Sequence, residues 1–234
     1  IAYDYSDAPA SYDNDKDGIT RPAVGYQLSG FYLGTSWNRE DATQPSADAN
    51  LDTSDDGIAT LSTLTPGVTY NLTITGTKPV TTVTSYIYAW IDLNKDGKFQ
   101  STEAAKSTSV TAATNGAFSK TLTWTAAQTA TLNGTGQFYL RTRLVDGVLT
   151  DYTGATGGTT LDERSIGYGA VSASDATNGA AKPGEIEDYA ITVNTALVDT
   201  DSDGVQDFYD LDDDNDGVID TVEGLYCNII DIHT

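Results

Sequence analysis

The sequence is poor in the side chains on which most catalytic sites and most nitrogen- or sulfur-ligated metal sites depend. Its 234 residues include one histidine, one cysteine and no methionine. The single histidine, His233, argues against a serine or cysteine triad and excludes a histidine-rich zinc site. The single cysteine, Cys227, cannot form a disulfide within the chain. We therefore expect this chain not to be an enzyme.

Basic residues are also scarce. Lysine and arginine total 12 against 34 acids, which gives a formal net charge of −22. This balance argues against a nucleic-acid partner and against an anionic membrane surface. Apolar runs never reach the roughly eighteen residues of a membrane-spanning helix, so membrane insertion is not expected. The chain opens at Ile1 without a methionine or a signal-like stretch, and we interpret it as a piece of an exported protein, secreted or at the cell surface.

Three stretches fit the twelve-residue loop D-x-[DN]-x-[DN]-G-x₅-[DE]. They are DLNKDGKFQSTE at 92–103, DTDSDGVQDFYD at 199–210 and DDDNDGVIDTVE at 212–223. Side-chain oxygens at positions 1, 3 and 5 point at a common centre, glycine at position 6 allows a sharp turn, the position 7 carbonyl adds an oxygen, and the acid at position 12 closes the shell. The repetition predicts binding of divalent cations, with calcium (Ca²⁺) as the expected cofactor.

A solvated acidic linker is the alternative interpretation of the second and third stretches. Residues 199–223 contain eleven acids and no basic residue, a density that would extend the chain by self-repulsion unless cations neutralised it. The acids stand at ligand spacing rather than in a block, which favours the metal-binding interpretation.

Period-two patterns dominate the first part of the chain and predict strands. Tyr70, Leu72 and Ile74 share one face of the clearest run, while Asn71 and Thr73 share the other. The predicted strands cover residues 67–77, 83–91, 118–124, 137–144 and 187–193, and turn-forming clusters separate them.

This pattern predicts an all-β fold without helical periodicity. We expect an antiparallel β-sandwich of about eight strands at residues 1–195, followed by a calcium-loop appendage without regular secondary structure at 196–224 and an apolar tail at 225–234. Trp90 and Trp124 on the strands are expected to be packing residues. Because Asp92 directly follows a strand, the first loop is expected to rigidify a β connection at one end of the sandwich rather than to act as a helix–loop–helix sensor.

Four segments together resemble the bacterial GEVED domain, which occurs in large secreted and cell-surface proteins. They are DYSDAPASY at 4–12, AWIDLNKDGKFQSTE at 89–103, YLRTRL at 139–144 and GEIEDYAITV at 184–193. The resemblance covers about the first 195 residues, and Ile186 replaces the valine of the family's name. The following segment, DTDSDGVQDFYDLDDDNDGVIDTVEG, resembles a pair of thrombospondin type 3 repeats, which are calcium-wrapping modules.

The second resemblance implies a ligand set for each of the two C-terminal loops. One ion would be bound by Asp199, Asp201, Asp203, Asp210 and the carbonyl of Val205, and the next by Asp212, Asp214, Asp216, Glu223 and the carbonyl of Val218. Asp207 and Asp220, at position 9, would coordinate through water or reach the neighbouring ion. The matching set in the sandwich is Asp92, Asn94, Asp96, Glu103 and the Lys98 carbonyl, with the Lys98 ammonium pointing away.

A fourth segment, DNDKDG at 13–18, has only the first half of the loop pattern. Asp13, Asp15 and Asp17 stand at ligand spacing, but Val24 occupies position 12. A carboxylate distant in sequence would have to complete the site.

Three hypotheses for function remain, of which a structural or adhesive module of a surface, matrix or filament protein leads. The tail at 225–234 is β-prone, and it would add to a sheet edge of the next protomer or begin another domain; the partners would be further copies or other surface proteins. The second hypothesis is calcium-dependent binding of a glycan or peptide through loop aromatics such as Tyr32, Trp37, Tyr152 and Tyr168.

The third hypothesis, a glycosidase, would need a carboxylate pair from Asp162, Glu163, Glu185, Glu187 and Asp188. Acidic chains offer such pairs by chance. For Glu185 to Asp188 a structural role in a turn before the last strand is favoured.

Overall fold

A computed structural model describes most of the first two thirds of the chain and short parts of the remainder. The described residues are 2–13, 23–26, 28–79, 84–106, 108–111, 116–133, 136–147, 163, 183–194, 200–201, 203 and 210–219. Within them the chain is almost entirely β, with nine strands, two 3₁₀ turns (Ala10–Asp13 and Ser101–Glu103) and one helical turn, α1 (Ala126–Thr129). None of the described helical segments has the length or apolar character needed to cross a bilayer.

The strands form three antiparallel sheets. A two-stranded sheet contains β1 (Tyr3–Tyr5) and β2 (Val24–Tyr26). A three-stranded sheet has the order β3 (Tyr32–Leu33), β4 (Tyr70–Thr77) and β7 (Ala117–Trp124). A four-stranded sheet has the order β6 (Ala104–Lys106), β5 (Ser85–Ile91), β8 (Phe138–Asp146) and β9 (Gly184–Ile191). All strand pairs in these sheets are antiparallel.

The main hydrophobic core lies between the three-stranded and the four-stranded sheet. Leu72 and Trp124 contribute to it from the first, and Ile87, Leu140 and Ile191 from the second. In β4 buried and exposed side chains alternate, as expected for a strand with one face in solvent. The predicted all-β antiparallel sandwich is therefore confirmed.

The four-stranded sheet is buried on both faces. On its outer face Tyr88 and Trp90 pack with Ala8, Tyr12 and Phe99, and the rings of Tyr12 and Phe99 stack with centroids 4.5 Å apart. β8 is consequently buried along nearly its whole length. The N-terminal segment thus covers the face that would otherwise meet solvent.

The longer strands agree with the sequence patterns, but the shorter ones were not predicted. β1, β2, β3 and β6 contain two or three residues each, too few to show an alternation. The expected turn at Glu185 to Asp188 was wrong, because these residues lie inside β9. Charged residues are rarely buried in a strand, and this bias favoured the turn.

Candidate metal centres

The first predicted loop joins β5 to β6, as its sequence position predicted. Asp92 follows β5 directly and is 1 % exposed. Its Oδ1 accepts the Asp96 N–H at 3.2 Å, and its Oδ2 accepts the Gly97 N–H at 2.9 Å and the Tyr12 hydroxyl at 2.6 Å. Asn94 Oδ1 accepts the same Asp96 N–H at 3.0 Å. The oxygens at positions 1 and 3 are therefore drawn to the inside of the loop, and burial raises the pKa of Asp92.

Glu103, at position 12, closes the same loop. Its Oε1 accepts the N–H of Leu93 at 2.9 Å, and its Oε2 accepts the N–H of Gln100 at 2.9 Å. Trp124 from the opposite sheet donates its indole N–H to the Glu103 carbonyl at 2.7 Å. Burial raises the pKa of Glu103 to about 7. Glu103 thus joins the two ends of the loop and ties the loop to the core.

The Lys98 side chain differs from the expectation. Its ammonium was expected to point away from the loop, but Nζ lies 3.8 Å from Asp96 Oδ2. The side chains of Lys98 and Asp96 are 45 % and 31 % exposed, so this is a partly screened ion pair at the surface. The negative charge of Asp96 attracts the Lys98 ammonium.

The third predicted loop has the same internal hydrogen bonds as the first. Asp212 Oδ1 accepts the Asp216 N–H at 3.1 Å, and its Oδ2 accepts the Gly217 N–H at 2.9 Å. Asp214 Oδ1 accepts the Asp216 N–H at 3.2 Å. Position 4 is left-handed in both loops, at Lys95 (φ 55°) and Asn215 (φ 57°), and position 6 is a left-handed glycine in both.

The second loop is described only in part. Asp201 Oδ1 accepts the Asp203 N–H at 2.9 Å, which is again the bond between positions 3 and 5. The Asn215 amide of the third loop donates to Asp201 Oδ2, so the two loops are in contact. The predicted ligands Asp199, Val205, Asp207, Asp220 and Glu223 lie outside the described residues.

The carboxylates of the two C-terminal loops converge. Asp201, Asp203 and Asp210 each place one oxygen within 4.8 Å of the others, and so do Asp212, Asp214 and Asp216. Among the described residues the acids of the first loop, Asp92, Asp96 and Glu103, form no such group. The Glu103 carboxylate is held by main-chain N–H groups at both ends of the loop, while Asn94 supplies an amide oxygen instead of a carboxylate.

Asp13, the described acid of the fourth segment, lies beside a cationic partner. Its Oδ1 accepts the Ser6 hydroxyl at 2.9 Å and is 3.8 Å from the Arg141 guanidinium. Burial raises the pKa of Asp13 to about 6, although Arg141 opposes this shift. Asp15 and Asp17 lie outside the described residues, so a metal site in this segment stays a prediction.

Arg141 is the centre of a buried ionic network on the outer face of the four-stranded sheet. Its guanidinium donates to the two oxygens of Asp188 at 2.8 and 3.0 Å and lies 3.4 Å from Glu163. Asp188 also accepts the main-chain N–H groups of Asp7 and Ala8 at 3.1 and 2.9 Å. This network attaches the N-terminal segment to β9.

The inner-face acids of β9 are also engaged by main-chain N–H groups. Glu187 accepts the N–H groups of Asp56 and Gly57 at 3.1 and 2.9 Å, and Glu185 accepts that of Leu33. A Cβ on Gly57 would lie 2.5 Å from the Glu187 carboxylate, so the close approach requires glycine. Burial raises the pKa of Glu187 to about 8 and that of Glu185 to about 12. The acids of this segment therefore do not form an exposed carboxylate pair.

Sequence reasoning missed one further group of acids. Asp4, Glu40 and Asp52 are buried and each places one oxygen within 4.8 Å of the others. Their spacing in the sequence follows no loop pattern, and folding alone brings them together. The occurrence of Asp4 in the DYSDAPASY segment was the only available signal.

The comparisons with curated proteins and with solved structures gave no match. The comparison with protein families gave a match to the GEVED domain at residues 86–192. This range is narrower than the expected one, since the segment at 4–12 lies outside it. The resemblance to thrombospondin type 3 repeats stays a prediction. The residues from Tyr86 to Thr192, which contain the first loop and the acids of β9, match the GEVED domain.

Proposed function

We propose that this chain is a calcium-stabilised extracellular structural or adhesive module of a bacterial surface, matrix or filament protein. The GEVED domain is often found in bacterial extracellular proteins. Calcium would supply the cross-linking that disulfides provide in other secreted domains. In this proposal ions stiffen one β connection of the sandwich and order the acidic segment that follows it.

The observation that carries the proposal is the conformation shared by the first and third loops. The two loops stand in different surroundings, one packed against the core and one with several exposed acids. They nevertheless have the same hydrogen bonds from positions 5 and 6 to the side chains at positions 1 and 3. Since surroundings do not impose this conformation, the loop sequence does.

The donors fit a hard cation. Asp92, Asn94, Asp96 and Glu103 offer only oxygen, as do Asp212, Asp214 and Asp216, and oxygen is the ligand that calcium takes in proteins. A bound ion supplies positive charge where like charges repel one another. The main-chain N–H groups of each loop orient the carboxylates in advance, which lowers the cost of ordering them.

The proposal is tested by measuring thermal unfolding and limited proteolysis with calcium and with EDTA. Calcium in excess of a dissociation constant on the order of 10⁻⁴ to 10⁻³ M should raise the melting temperature and protect residues 199–223 from cleavage. The variants Asp92→Asn with Asp96→Asn, and Asp212→Asn with Asp214→Asn, should each lose part of this response. An exposed control pair, Asp41→Asn with Asp48→Asn, should keep it. A melting temperature and cleavage pattern unaffected by EDTA would contradict the proposal.

A structural role also agrees better than catalysis with the acids of β9. Glu185, Glu187 and Asp188 are each at most 1 % exposed, and a glycosidase pair must reach a sugar and water. Their partners are main-chain N–H groups and Arg141, which position strands. We therefore propose a non-enzymatic module.

Self-association through the apolar tail belongs to the same proposal and rests on the sequence. Residues 225–234 lie outside the described residues. Deleting them should reduce the particle size measured by light scattering in calcium, and electron micrographs should lose fibres. Unchanged assembly would remove the tail from the proposal. Monodisperse particles that give a glycan-array signal would favour the glycan-binding alternative instead.

A further inference from the structure

Three acids far apart in the sequence meet beside β9. Asp4 lies in β1, while Glu40 and Asp52 lie between β3 and β4. One carboxylate oxygen of each lies within 4.8 Å of the others. The three residues are 0 %, 5 % and 6 % exposed. We call Asp4, Glu40 and Asp52 the seam cluster, because they join the N-terminal part of the chain to the four-stranded sheet.

In two carboxylates of the seam cluster, one oxygen accepts hydrogen bonds, while the other oxygen has no partner among the described residues. Asp4 Oδ2 accepts the Ile186 N–H at 2.6 Å, and Asp52 Oδ1 accepts the N–H and hydroxyl of Ser54 at 2.8 and 2.9 Å. Within the described part of the chain, Asp4 Oδ1 and Asp52 Oδ2 are buried with no hydrogen-bond partner. A buried oxygen without a donor costs about 1–3 kcal/mol, and more when it is charged.

Neighbouring acids add further buried oxygens without hydrogen-bond partners in the described ranges. Glu185, on β9, is 0 % exposed, and its Oε1 also has no hydrogen-bond partner among the described residues. Burial raises its pKa to about 12, with repulsion from Asp4 as the next cause. Burial raises the pKa of Asp55 to about 11, with repulsion from Asp52 next. Glu185 and Asp55 thus place further buried carboxyl groups beside the seam cluster.

Several described basic side chains form salt bridges with acids outside the seam cluster. Arg39 pairs with Asp41 at the surface, Lys98 with Asp96 in the first loop, and Arg141 with Asp188 on the outer face. Burial raises the pKa of Asp4 well above its ordinary value and that of Glu40 to about 7. A cation bound among these buried carboxylates would supply the positive charge that they require.

The donor set selects the class of cation. All the available atoms are carboxylate oxygens, which excludes a soft metal with thiolate or imidazole ligands. Calcium binds oxygen at about 2.3–2.6 Å, so two oxygens on one ion can be up to about 5 Å apart. The oxygens of the seam cluster all lie within 4.8 Å of one another, which is inside this limit. Magnesium is usually bound through one or two carboxylates and several waters, so three converging carboxylates suit it less well.

We propose that Asp4, Glu40 and Asp52 bind a calcium ion that attaches β1 and the segment before β4 to β9. This site is independent of the three loops, since it shares no residue with them and follows no loop spacing. It also connects residues outside the GEVED match to a strand inside it. The ion would make docking of the N-terminal segment depend on calcium.

The test is to count bound calcium on the full chain by native mass spectrometry during a calcium titration. The variant Asp4→Asn with Asp52→Asn should bind at least one ion fewer per chain than the wild type. The control pair Asp41→Asn with Asp48→Asn removes the same charge from exposed positions and should keep the wild-type count. The pair Asp212→Asn with Asp214→Asn should lose calcium from the appendage only. If each of these two double variants loses only its own calcium, the seam cluster and the C-terminal loops bind separate ions.

Thermal unfolding supplies a second readout that a purely structural role would not produce. With EDTA, Asp4→Asn with Asp52→Asn should melt at a higher temperature than the wild type, because it relieves repulsion between carboxylates. With calcium it should melt at a lower temperature than the wild type. If this variant fails to fold, Glu40→Gln alone should show the same reversal. An unchanged calcium count, or the same order of stability with and without calcium, would overturn the proposal; so would saturation by magnesium at equal concentration.

Discussion

At the scale of single residues, the buried charge of Asp188 is matched by its partners. Asp188 receives two bonds from the Arg141 guanidinium and two from the main chain of the N-terminal segment. Both side chains are fully buried. A matched buried pair adds little net stability, but removing one partner leaves a charge without compensation.

Arg141→Leu should therefore destabilise the protein by roughly 3–5 kcal/mol, measured by denaturant unfolding in calcium. Arg39→Leu, which removes an exposed arginine, should lower the free energy of unfolding by at most about 1 kcal/mol. The double variant Arg141→Leu with Asp188→Asn should recover part of the loss, because it removes one uncompensated charge. A double variant less stable than Arg141→Leu would contradict this account.

At the scale of elements, the same loop conformation occurs in two settings with different mechanical consequences. The first loop is fixed to the core through Trp124 and Tyr12, while glycine at position 6 of the third loop has open space around it. Gly97 and Gly217 have φ of 74° and 91°, a region that costs other residues about 1–2 kcal/mol.

Gly97→Ala should lower the melting temperature of the sandwich and weaken its response to calcium, since it strains a loop bonded to the core. Gly217→Ala should leave the melting temperature unchanged and weaken calcium binding by the appendage alone. Gly67→Ala is the matched control, because Gly67 has φ of 68° in a turn without predicted ligands. It should lower stability equally with and without calcium. A calcium response identical in Gly97→Ala and Gly67→Ala would show that the first loop binds no ion.

Elements with a local pattern could be predicted from the sequence. The alternation of Tyr70, Leu72 and Ile74 gave β4, and the loop spacing gave the conformation found at Asp92 and Asp212. The four shortest strands could not be predicted, since two or three residues carry no periodicity. The seam cluster could not be predicted either, because its residues are 36 and 12 positions apart and only the packing of the segment between β3 and β4 against the N-terminal part of the chain brings them together.

At the scale of the whole molecule, the excess of acids makes stability depend on what neutralises them. In the absence of metal, burial raises the pKa of Glu40 to about 7 and that of Glu187 to about 8, from an ordinary value of 4.5. At pH values between the ordinary and the raised pKa, the folded protein binds more protons than the unfolded chain. Its free energy of unfolding therefore falls as pH rises through this range.

With EDTA, the melting temperature should therefore decrease steadily from about pH 5 to about pH 8. With saturating calcium the decrease should be smaller, because calcium replaces the protons that the buried carboxylates otherwise require. The measurement is a series of melting curves at four pH values under both conditions. A melting temperature that rises with pH in EDTA would show that these carboxylates are charged and compensated without metal.

The hydrogen bond from the Trp124 indole to the Glu103 carbonyl, at 2.7 Å, gives the protein an intrinsic optical probe. The fluorophore lies in the core, and its polar atom touches the residue that closes the first loop. Any shift of that residue alters the electronic environment of the indole, so the Trp124 contribution to the ultraviolet emission reports the state of one loop in real time without a dye.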